Sequence, residues 1–543
     1  MMILGILKRF EGWLIFCLLF LLLCKDYIPQ LPLLIWSYDY NGIDANIINV
    51  INRIELGLPF YSDWRSGEIV NIYGPIHFFI LLVFKNLITF NQIDSFVLAR
   101  SLNFISALFT FVMCIKICLL LFRESRFKYI LTFLCGYIFL LNSSLFLWEL
   151  GDIRADFTLM FFISLGAYQL LRAPCSFKLL SFLSVLCFFT KQSGIILGVA
   201  TILYYFFFYR RRILKFILWG LIWSIPLVLF LEIYNHGEFL LNYLVYVNKN
   251  YSGFLSWNYL YTVLKDYHIH FIWGIFLIPI GIYALFHDHR HYACSLAILF
   301  LVDLMLLLHI GRNTGACYYY YRFHWFLSSI ISVYGLWFVF SKISNNLNKE
   351  KVAIIKLLLL SIILLKTVHT FKPNRIVKDY SNNLQRVNKS IEMAKEHQLK
   401  INKIIKEYPN ARWLVGYNGS YHVKQNIILD QELVTVAYAI ASRNFKYFNF
   451  REFKQKMLSG YYPLLAGYPP YLEEMVKNRT TKEDDKMTDT IGDIGKIISN
   501  CYRPILISKV PCYLFMDKNV QETAIHKYDG NRVECVQLKK MEM

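Results

Sequence analysis

Residues 149–215 read ELGDIRADFTLMFFISLGAYQLLRAPCSFKLLSFLSVLCFFTKQSGIILGVATILYYFFFYRRRILK. Their charges sit in short clusters: Glu149–Asp156, Arg172–Lys178, Lys191 and Arg210–Lys215. Between the clusters lie apolar blocks at 155–171, 178–190, 193–209 and 213–233. Blocks of this length, stitched by short charged turns, read as consecutive membrane-spanning helices, each needing roughly 20 residues to cross a bilayer.

The rest of the chain repeats the pattern. Of its 543 residues, 56% are apolar and only 17% charged, with a mean hydropathy of +0.41. A soluble domain carries about 25% charge, so a soluble enzyme, a disordered chain and a coiled coil are excluded. Further spans are drawn at 12–34, 94–122, 127–148, 269–286, 292–310, 323–341 and 352–370. The expected fold is an α-helical polytopic membrane protein with about eleven transmembrane helices. The first span follows Lys8 and Arg9 and has no small-residue cleavage site after it, so it reads as retained.

The formal charge of +20 divides evenly. Residues 1–370 hold 29 basic and 18 acidic residues, and residues 371–543 hold 28 and 19. In the first part the basic residues lie in short loops, as the positive-inside rule requires; in the second they alternate with acids. Neither is a nucleic-acid surface. Eight of the twelve cysteines lie in or beside apolar blocks, where a thiol packs as a small hydrophobe. The apolar stretch 75–90 decides the topology. If it lies along the membrane, Arg123, Arg126, Lys128, Arg172, Lys178, Arg210–Arg212, Lys215, Arg290, Lys342, Lys349 and Lys351 share the side of Lys8 and Arg9. If it spans, every later basic loop flips away from the N-terminus. The first arrangement obeys the charge rule and is preferred.

That topology turns a long first loop, 35–93, and the tail, 371–543, to the outer face. Within the loop, 43–55 has near-helical apolar spacing (Ile47, Ile48, Ile51, Ile54) and reads as an amphipathic surface helix ended by Gly57 and Pro59. The tail reads as a separate soluble α/β domain. It comprises a long amphipathic helix over 375–407, strand-like runs at Trp413–Tyr417, Leu433–Ala439 and Pro504–Phe515, and a polar loop at 478–490. The domain division is therefore 1–370 and 371–543.

Four outward-facing features carry possible chemistry. Asp39 and Asp44 follow the first span; they also read as solvated loop acids, or Asp44 as a helix cap. Glu149, Asp152, Arg154 and Asp156 crowd one short turn, where charges line a polar cavity or pair with one another. Lys191 and Gln192 form a tight turn inside an apolar stretch, able to grip an anion, or to hold a snorkelling lysine. Arg312 with Tyr318–Tyr321 and Arg322 reads equally as an aromatic belt. Arg100 and Asp303 lie within or near spans and need partners. No spacing suggests metal ligands. Carboxylates beside fixed cations suit transfer from a phosphate-bearing lipid to a hydroxyl: the carboxylate takes the proton and the cations hold the leaving phosphate.

Five pieces, in order, match a known pattern: Asp44 opening a helix that ends Leu56-Gly57-Leu-Pro-Phe-Tyr61; Tyr73-Gly-Pro75-Ile; Ala99-Arg100-Ser-Leu; Asp152-Ile-Arg154-Ala-Asp156; and Leu186-Cys-Phe-Phe-Thr190-Lys191-Gln192. Over roughly residues 1–340 the chain resembles the polytopic GT-C-type glycosyltransferases of the family 39 / aminoarabinose-transferase-like group. The resemblance implies an inverting transfer of one hexosyl or pentosyl unit from a polyprenyl-phosphate donor. The acceptor is a hydroxyl on a glycolipid, glycan or protein at the outer or lumenal face of the membrane. It implies Asp44 as base, with Asp39 as rival, because the family's Asp-Glu pair is Asp44-Ala45 here. It implies Arg154, Lys191 and Gln192 at the donor phosphate, with Glu149, Asp152, Asp156, Tyr73 and Arg100 supporting. It implies no required cofactor; a divalent metal is compatible with it but is not predicted. A bacterial inner membrane is the expected location. The rival classes are a lipid-linked-glycan polymerase, ligase or flippase, and a transporter, whose repeat halves and broken helices are not evident.

Overall fold

The computed structural model describes residues 2–36, 44–62, 71, 73–88, 94–125, 127–147, 153–246, 274–288, 290–310, 322–344 and 349–407, five short strands beyond them, and isolated residues 257, 455 and 458. Asp39, Glu149, Asp152, Arg312, Tyr318–Tyr321, the run Leu433–Ala439 and the stretch 478–490 lie outside the described residues.

Helix α1 (Met2–Tyr27) continues through a 3₁₀ turn into the single helical turn α2 (Leu31–Leu34). Two helices belong to the first loop, α3 (Asp44–Glu55) and α4 (Pro75–Ile88). The membrane bundle then runs α5 (Ser95–Leu121), α6 (Lys128–Leu147), α7 (Asp156–Arg172), α8 (Phe177–Thr190), α9 (Ile195–Phe208) and α10 (Arg211–Tyr234). After a π-helical segment, Leu241–Tyr246, come α11 (Gly274–Phe286), α12 (Cys294–Ile310), α13 (Arg322–Ser344) and α14 (Lys349–Thr370). Each expected span falls on a helix, the first of which begins at Met2, ten residues before the expected 12. Among the described residues four helices are long and apolar enough to cross a membrane: Phe10–Leu34, Ser95–Leu121, Arg211–Tyr234 and Phe323–Lys342. The protein is a multi-pass membrane protein.

The local signals act as the physics requires. Asp94 caps α5, its carboxylate accepting from the Phe96 amide at 2.8 Å. The α3 helix buries Ile47, Ile48 and Ile51 on one face and stops at Gly57, whose φ of +69° is open to glycine but costly for other residues. Two apolar clusters result. The larger joins α1 and all of α5–α14. The smaller is built where the first loop meets the bundle, from Ile47, Ile51, Phe60, Tyr61, Phe78, Ile153, Phe189, Phe239 and Tyr243. The α10 helix carries its apolar side chains outward, with Leu214, Ile222, Ile225, Leu229 and Ile233 at least half exposed, as a lipid-facing helix does.

Beyond α14, helix α15 (Pro373–Glu407) packs its Ile376 and Val387 inward, and Asn383 donates to the Pro29 carbonyl at 2.7 Å. Five strands follow: β1 (Trp413–Val415), β2 (Leu429–Glu432), β3 (Leu464–Ala466), β4 (Tyr502–Ile507) and β5 (Val510–Phe515). Their order in the sheet is β2-β1-β3-β5-β4; β1 runs parallel to β2 and β3, and β5 antiparallel to β3 and β4. The expected run Pro504–Phe515 is two strands, and β2 and β3 lie where no strand was expected.

Candidate active site

The site is organised by one short segment, Ile153–Thr158, at the entrance to α7. Asp44, the first residue of α3, reaches it from the first loop: its Oδ1 accepts from the Ile153 amide at 3.3 Å. Its Oδ2 accepts from Arg100 Nη2 of α5 at 3.0 Å, and neither side chain is exposed. Asn103, one turn further along α5, donates to the Arg154 carbonyl at 3.1 Å. The pairing offsets the desolvation that a lone buried ion would suffer, and an acid in the first turn of a helix is favoured by the helix dipole.

Asp156, the first residue of α7, makes the second pair. Lys191 Nζ donates to its Oδ1 at 2.6 Å, with the two side chains 7% and 6% exposed. Lys191 is held in extended conformation between α8 and the 3₁₀ turn Gln192–Gly194, and its ammonium stands 6.0 Å from the centre of the Tyr73 ring. Asp156 Oδ2 is buried with no hydrogen-bond partner among the described residues. Gln192 donates to the Tyr243 carbonyl at 3.0 Å, and the Tyr243 hydroxyl donates to the Phe188 carbonyl.

The first loop is fastened to this turn by close backbone approach. The Gly74 amide donates to the Thr190 carbonyl at 3.1 Å. A Cβ on Gly74 would lie 1.9 Å from the Phe189 carbonyl oxygen, so only glycine fits. Tyr61 donates to the Tyr73 carbonyl at 2.6 Å; burial pushes its phenol well above its usual range, so it stays a neutral donor. Asn235, just after α10, accepts from the amides of Phe60 and Tyr61 at 2.9 and 3.0 Å. Asn242 donates to the Ser62 carbonyl at 2.8 Å.

His77 ties α4 to the same segment. Its Nε2 lies 2.9 Å from the Ile153 carbonyl oxygen and its Nδ1 3.1 Å from Thr158 Oγ1. A carbonyl only accepts, so Nε2 carries the proton and Nδ1 accepts from the threonine. His77 lies in the first loop, fully buried. Burial lowers its pKa from 6.5 to about 4, against the opposing pull of the Ile153 bond and the Asp156 charge. It is neutral at pH 7.

Of the residues expected at the site, Asp44, Arg100, Arg154, Asp156 and Lys191 therefore gather around one segment; Tyr73 lies beside Lys191, and Gln192 bonds to the Tyr243 carbonyl. Asp39, Glu149 and Asp152 lie outside the described residues. Asp303 is elsewhere, paired with His324 Nδ1 at 2.8 Å between α12 and α13. His77, Asn235 and Asn242 were not anticipated. Their only signal is a polar side chain inside a largely apolar run, which many structural residues share. Among the described residues no group of three His, Cys, Asp or Glu side chains is placed to hold a metal.

The helical arrangement defines the class of fold. Across nearly its whole length it is similar to ArnT from Cupriavidus metallidurans bound to undecaprenyl phosphate, with a TM-score of 0.56 at 11% identity over 91% of this chain and 97% of that one. The apo structure of the same protein aligns with a TM-score of 0.55 at 12% identity, over 90% of this chain and 95% of ArnT. At such identity the likeness shows the fold: the chain has the GT-C-type polytopic fold. No protein-family model matches the sequence, and a sequence comparison with curated proteins finds no match.

Proposed function

We propose that the chain is an inverting glycosyltransferase that moves a sugar from a polyprenyl-phosphate donor to a hydroxyl acceptor at the outer face of a membrane. The observation that carries the reading is the gathering of Asp44 and Lys191 on the one segment Ile153–Thr158, within an ArnT-like fold. ArnT has been seen with undecaprenyl phosphate bound, and the sequence motifs matched to the family fall on the residues that gather here.

In the proposed reaction the acceptor oxygen attacks the anomeric carbon as the bond from that carbon to the phosphate oxygen breaks. Asp44, with Asp39 as rival, takes the hydroxyl proton, and the electron pair of the broken bond leaves on the lipid phosphate. Lys191, Arg154 and Gln192 offset the growing phosphate charge, the kind of contribution that preorganised donors make in a dry site. Donor phosphate would share Lys191 with Asp156, and Asp44 would act from within its pair with Arg100. The paired state keeps both cations compensated while the site is empty. The reaction needs no electron transfer, and no cofactor is assigned to it.

The topology belongs to the same proposal. All eleven helical stretches from α1 to α14, leaving out the first-loop helices, cross the membrane, and residues 371–543 form a soluble domain on the outer side. The α4 helix lies along the surface, the arrangement that keeps the later basic loops on the side of Lys8 and Arg9. Its Lys85 is bonded to Glu55 of α3 at 2.7 Å. A bacterial inner membrane fits this arrangement. The test is mass spectrometry of membrane lipids and surface glycans with and without the gene. Loss of one glycan substituent with accumulation of a polyprenyl-phosphate sugar is expected; unchanged lipids and glycans would overturn the reading.

A further inference from the structure

At the end of the bundle opposite the Lys191 turn, the connections α7–α8 and α9–α10 lie side by side. Tyr205 of α9 donates to the Pro174 carbonyl at 2.7 Å, and Ser181 of α8 donates to the Phe216 carbonyl of α10 at 3.0 Å. Together they present Arg172, Lys178, Arg210, Arg211 and Lys215 exposed and Arg212 half-buried. From Phe157 to Leu231 the sequence holds no acid at all. The cations rest instead on aromatic faces: Lys178 Nζ lies 4.6 Å from the centre of the Trp219 ring, Lys215 Nζ 5.9 Å from Phe177, and the Arg212 guanidinium 4.6 Å from Tyr209. The Arg212 guanidinium also bonds to the Cys175 thiol, and its buried Nη1 has no hydrogen-bond partner among the described residues. Asp288, at the same end of the bundle, is already engaged by Arg290 at 2.8 Å and by the Tyr334 hydroxyl. Six cations gathered without a carboxylate repel one another, and an aromatic face offsets only part of that cost.

Immediately beyond these cations, α10 turns Leu214, Leu218, Leu221, Ile222 and Ile225 outward, between 46% and 66% exposed. A cationic, hydrogen-bond-donating rim above an apolar wall matches one chemistry: a phosphate headgroup joined to acyl chains. We propose that the paired turns Arg172–Lys178 and Tyr209–Trp219 form a binding site for an anionic phospholipid of the surrounding leaflet. Its phosphate is taken by Arg211, Arg212 and Lys215, and its chains lie along α10. The site is remote from the Asp44–Lys191 region and does not depend on the transferase reading. It also goes beyond the topological role of loop cations, which asks only for charge on one side of the membrane and not for two turns bonded side by side.

The test uses the full chain in bilayer discs of phosphatidylcholine mixed with phosphatidylglycerol, released for native mass spectrometry. The variant Arg172→Gln/Arg211→Gln/Lys215→Gln is compared with Arg123→Gln/Lys342→Gln/Lys351→Gln, which removes equal charge from exposed positions elsewhere. A basic group near an anionic surface changes partition by roughly five-fold, so the first variant should retain phosphatidylglycerol at least about ten-fold less than wild type. The control should retain it nearly as wild type does. Equal loss in both variants, or in neither, overturns the site. As a second arm that needs no variant, wild-type protein is cross-linked with phosphatidylglycerol bearing a photoreactive headgroup. Labels on peptides covering 172–178 and 209–219 support the proposal, and labels confined to other segments overturn it.

Discussion

Asp44 and Arg100, fifty-six residues apart in the chain, meet at 3.0 Å with neither side chain exposed. The pair locks the first loop to α5, so a variant at Asp44 alters structure as well as chemistry. Arg100→Ala leaves a buried carboxylate without its cation, a change that costs about 3–5 kcal/mol when one partner of a buried pair is removed. The expected outcome is poor insertion or a lowered melting temperature in detergent. Asp44→Asn should cut transfer by roughly 100-fold or more, the scale of a lost general base, with some loss of stability. The double variant Asp44→Asn/Arg100→Gln separates the two roles. It should recover thermal stability and remain inactive. Recovery of activity together with stability would remove Asp44 from the chemistry, and near-normal transfer in Asp44→Asn with a dead Asp39→Asn would pass the role to Asp39.

Lys191 and Asp156 make a shorter contact, also buried though less completely. If Lys191 holds the donor phosphate, Lys191→Ala should lose on the order of 2–3 kcal/mol of donor binding and transition-state stabilisation, the worth of a hydrogen bond to a charged group. Lys191→Arg should keep part of the activity. Asp156→Asn preserves the shape but weakens the anchor, so its effect should be smaller and fall mainly on turnover. Donor titration and turnover measurements check this; unchanged values in Lys191→Ala would leave the lysine as a purely structural partner of Asp156.

The His77 environment gives stability a pH dependence. The folded pKa of about 4 lies below the unfolded 6.5, so between these values the unfolded chain binds more protons than the folded one. Stability is fully present above about pH 6.5, falls as the pH drops towards 4 and changes no further below it. At pH 5 the loss is about 2 kcal/mol, from 1.36 kcal/mol per unit. His77→Gln carries no titrating ring. Its melting temperature should therefore fall less between pH 7 and pH 5 than that of wild type, whatever its absolute value. Parallel slopes would show that His77 does not titrate on unfolding.

The helices were legible because lipid solvent imposes a simple code: an apolar run bounded by basic turns. The expectation 178–190 became Phe177–Thr190, and 213–233 became Arg211–Tyr234. The surface helix at Asp44 was legible from its isoleucine spacing and its stop at Gly57. The partners were not. Asp44, Arg100, Asp156 and Lys191 each stood out as charges near apolar sequence, but which cation meets which acid depends on how helices cross, and spacing along one chain carries no such information. His77 was hidden because one histidine in Pro75–Ile88 looks the same whether it faces lipid, water or a carbonyl. Strand β2, Leu429-Asp-Gln-Glu432, was invisible because three of its four residues are polar.

The last prediction concerns the membrane topology, on which the outward-facing site depends. The question turns on α4. Its Phe78 and Leu81 are buried against the neighbouring helices, while Val83 and Leu87 are 56% and 69% exposed, as expected of a helix lying on a bundle with one flank in the membrane surface. His77 also spends both ring nitrogens on α7 and the segment before it, which holds the start of α4 at the mouth of the bundle. With α4 on the surface, reporter fusions after residues 125, 211 and 346 should report the inner side, and a fusion after 400 the outer side. If α4 crosses instead, the signals after 125, 211 and 346 reverse relative to the N-terminus. That reversal would put Asp44 and the Lys191 turn on opposite sides of the membrane, against the bonds of Asp44 to Arg100 and Ile153, and would overturn the site. An inner-side signal at 400 with inner-side signals at the other three would break the odd number of crossings from α1 to α14. That result would place the tail away from the donor and overturn the proposed outer-face domain.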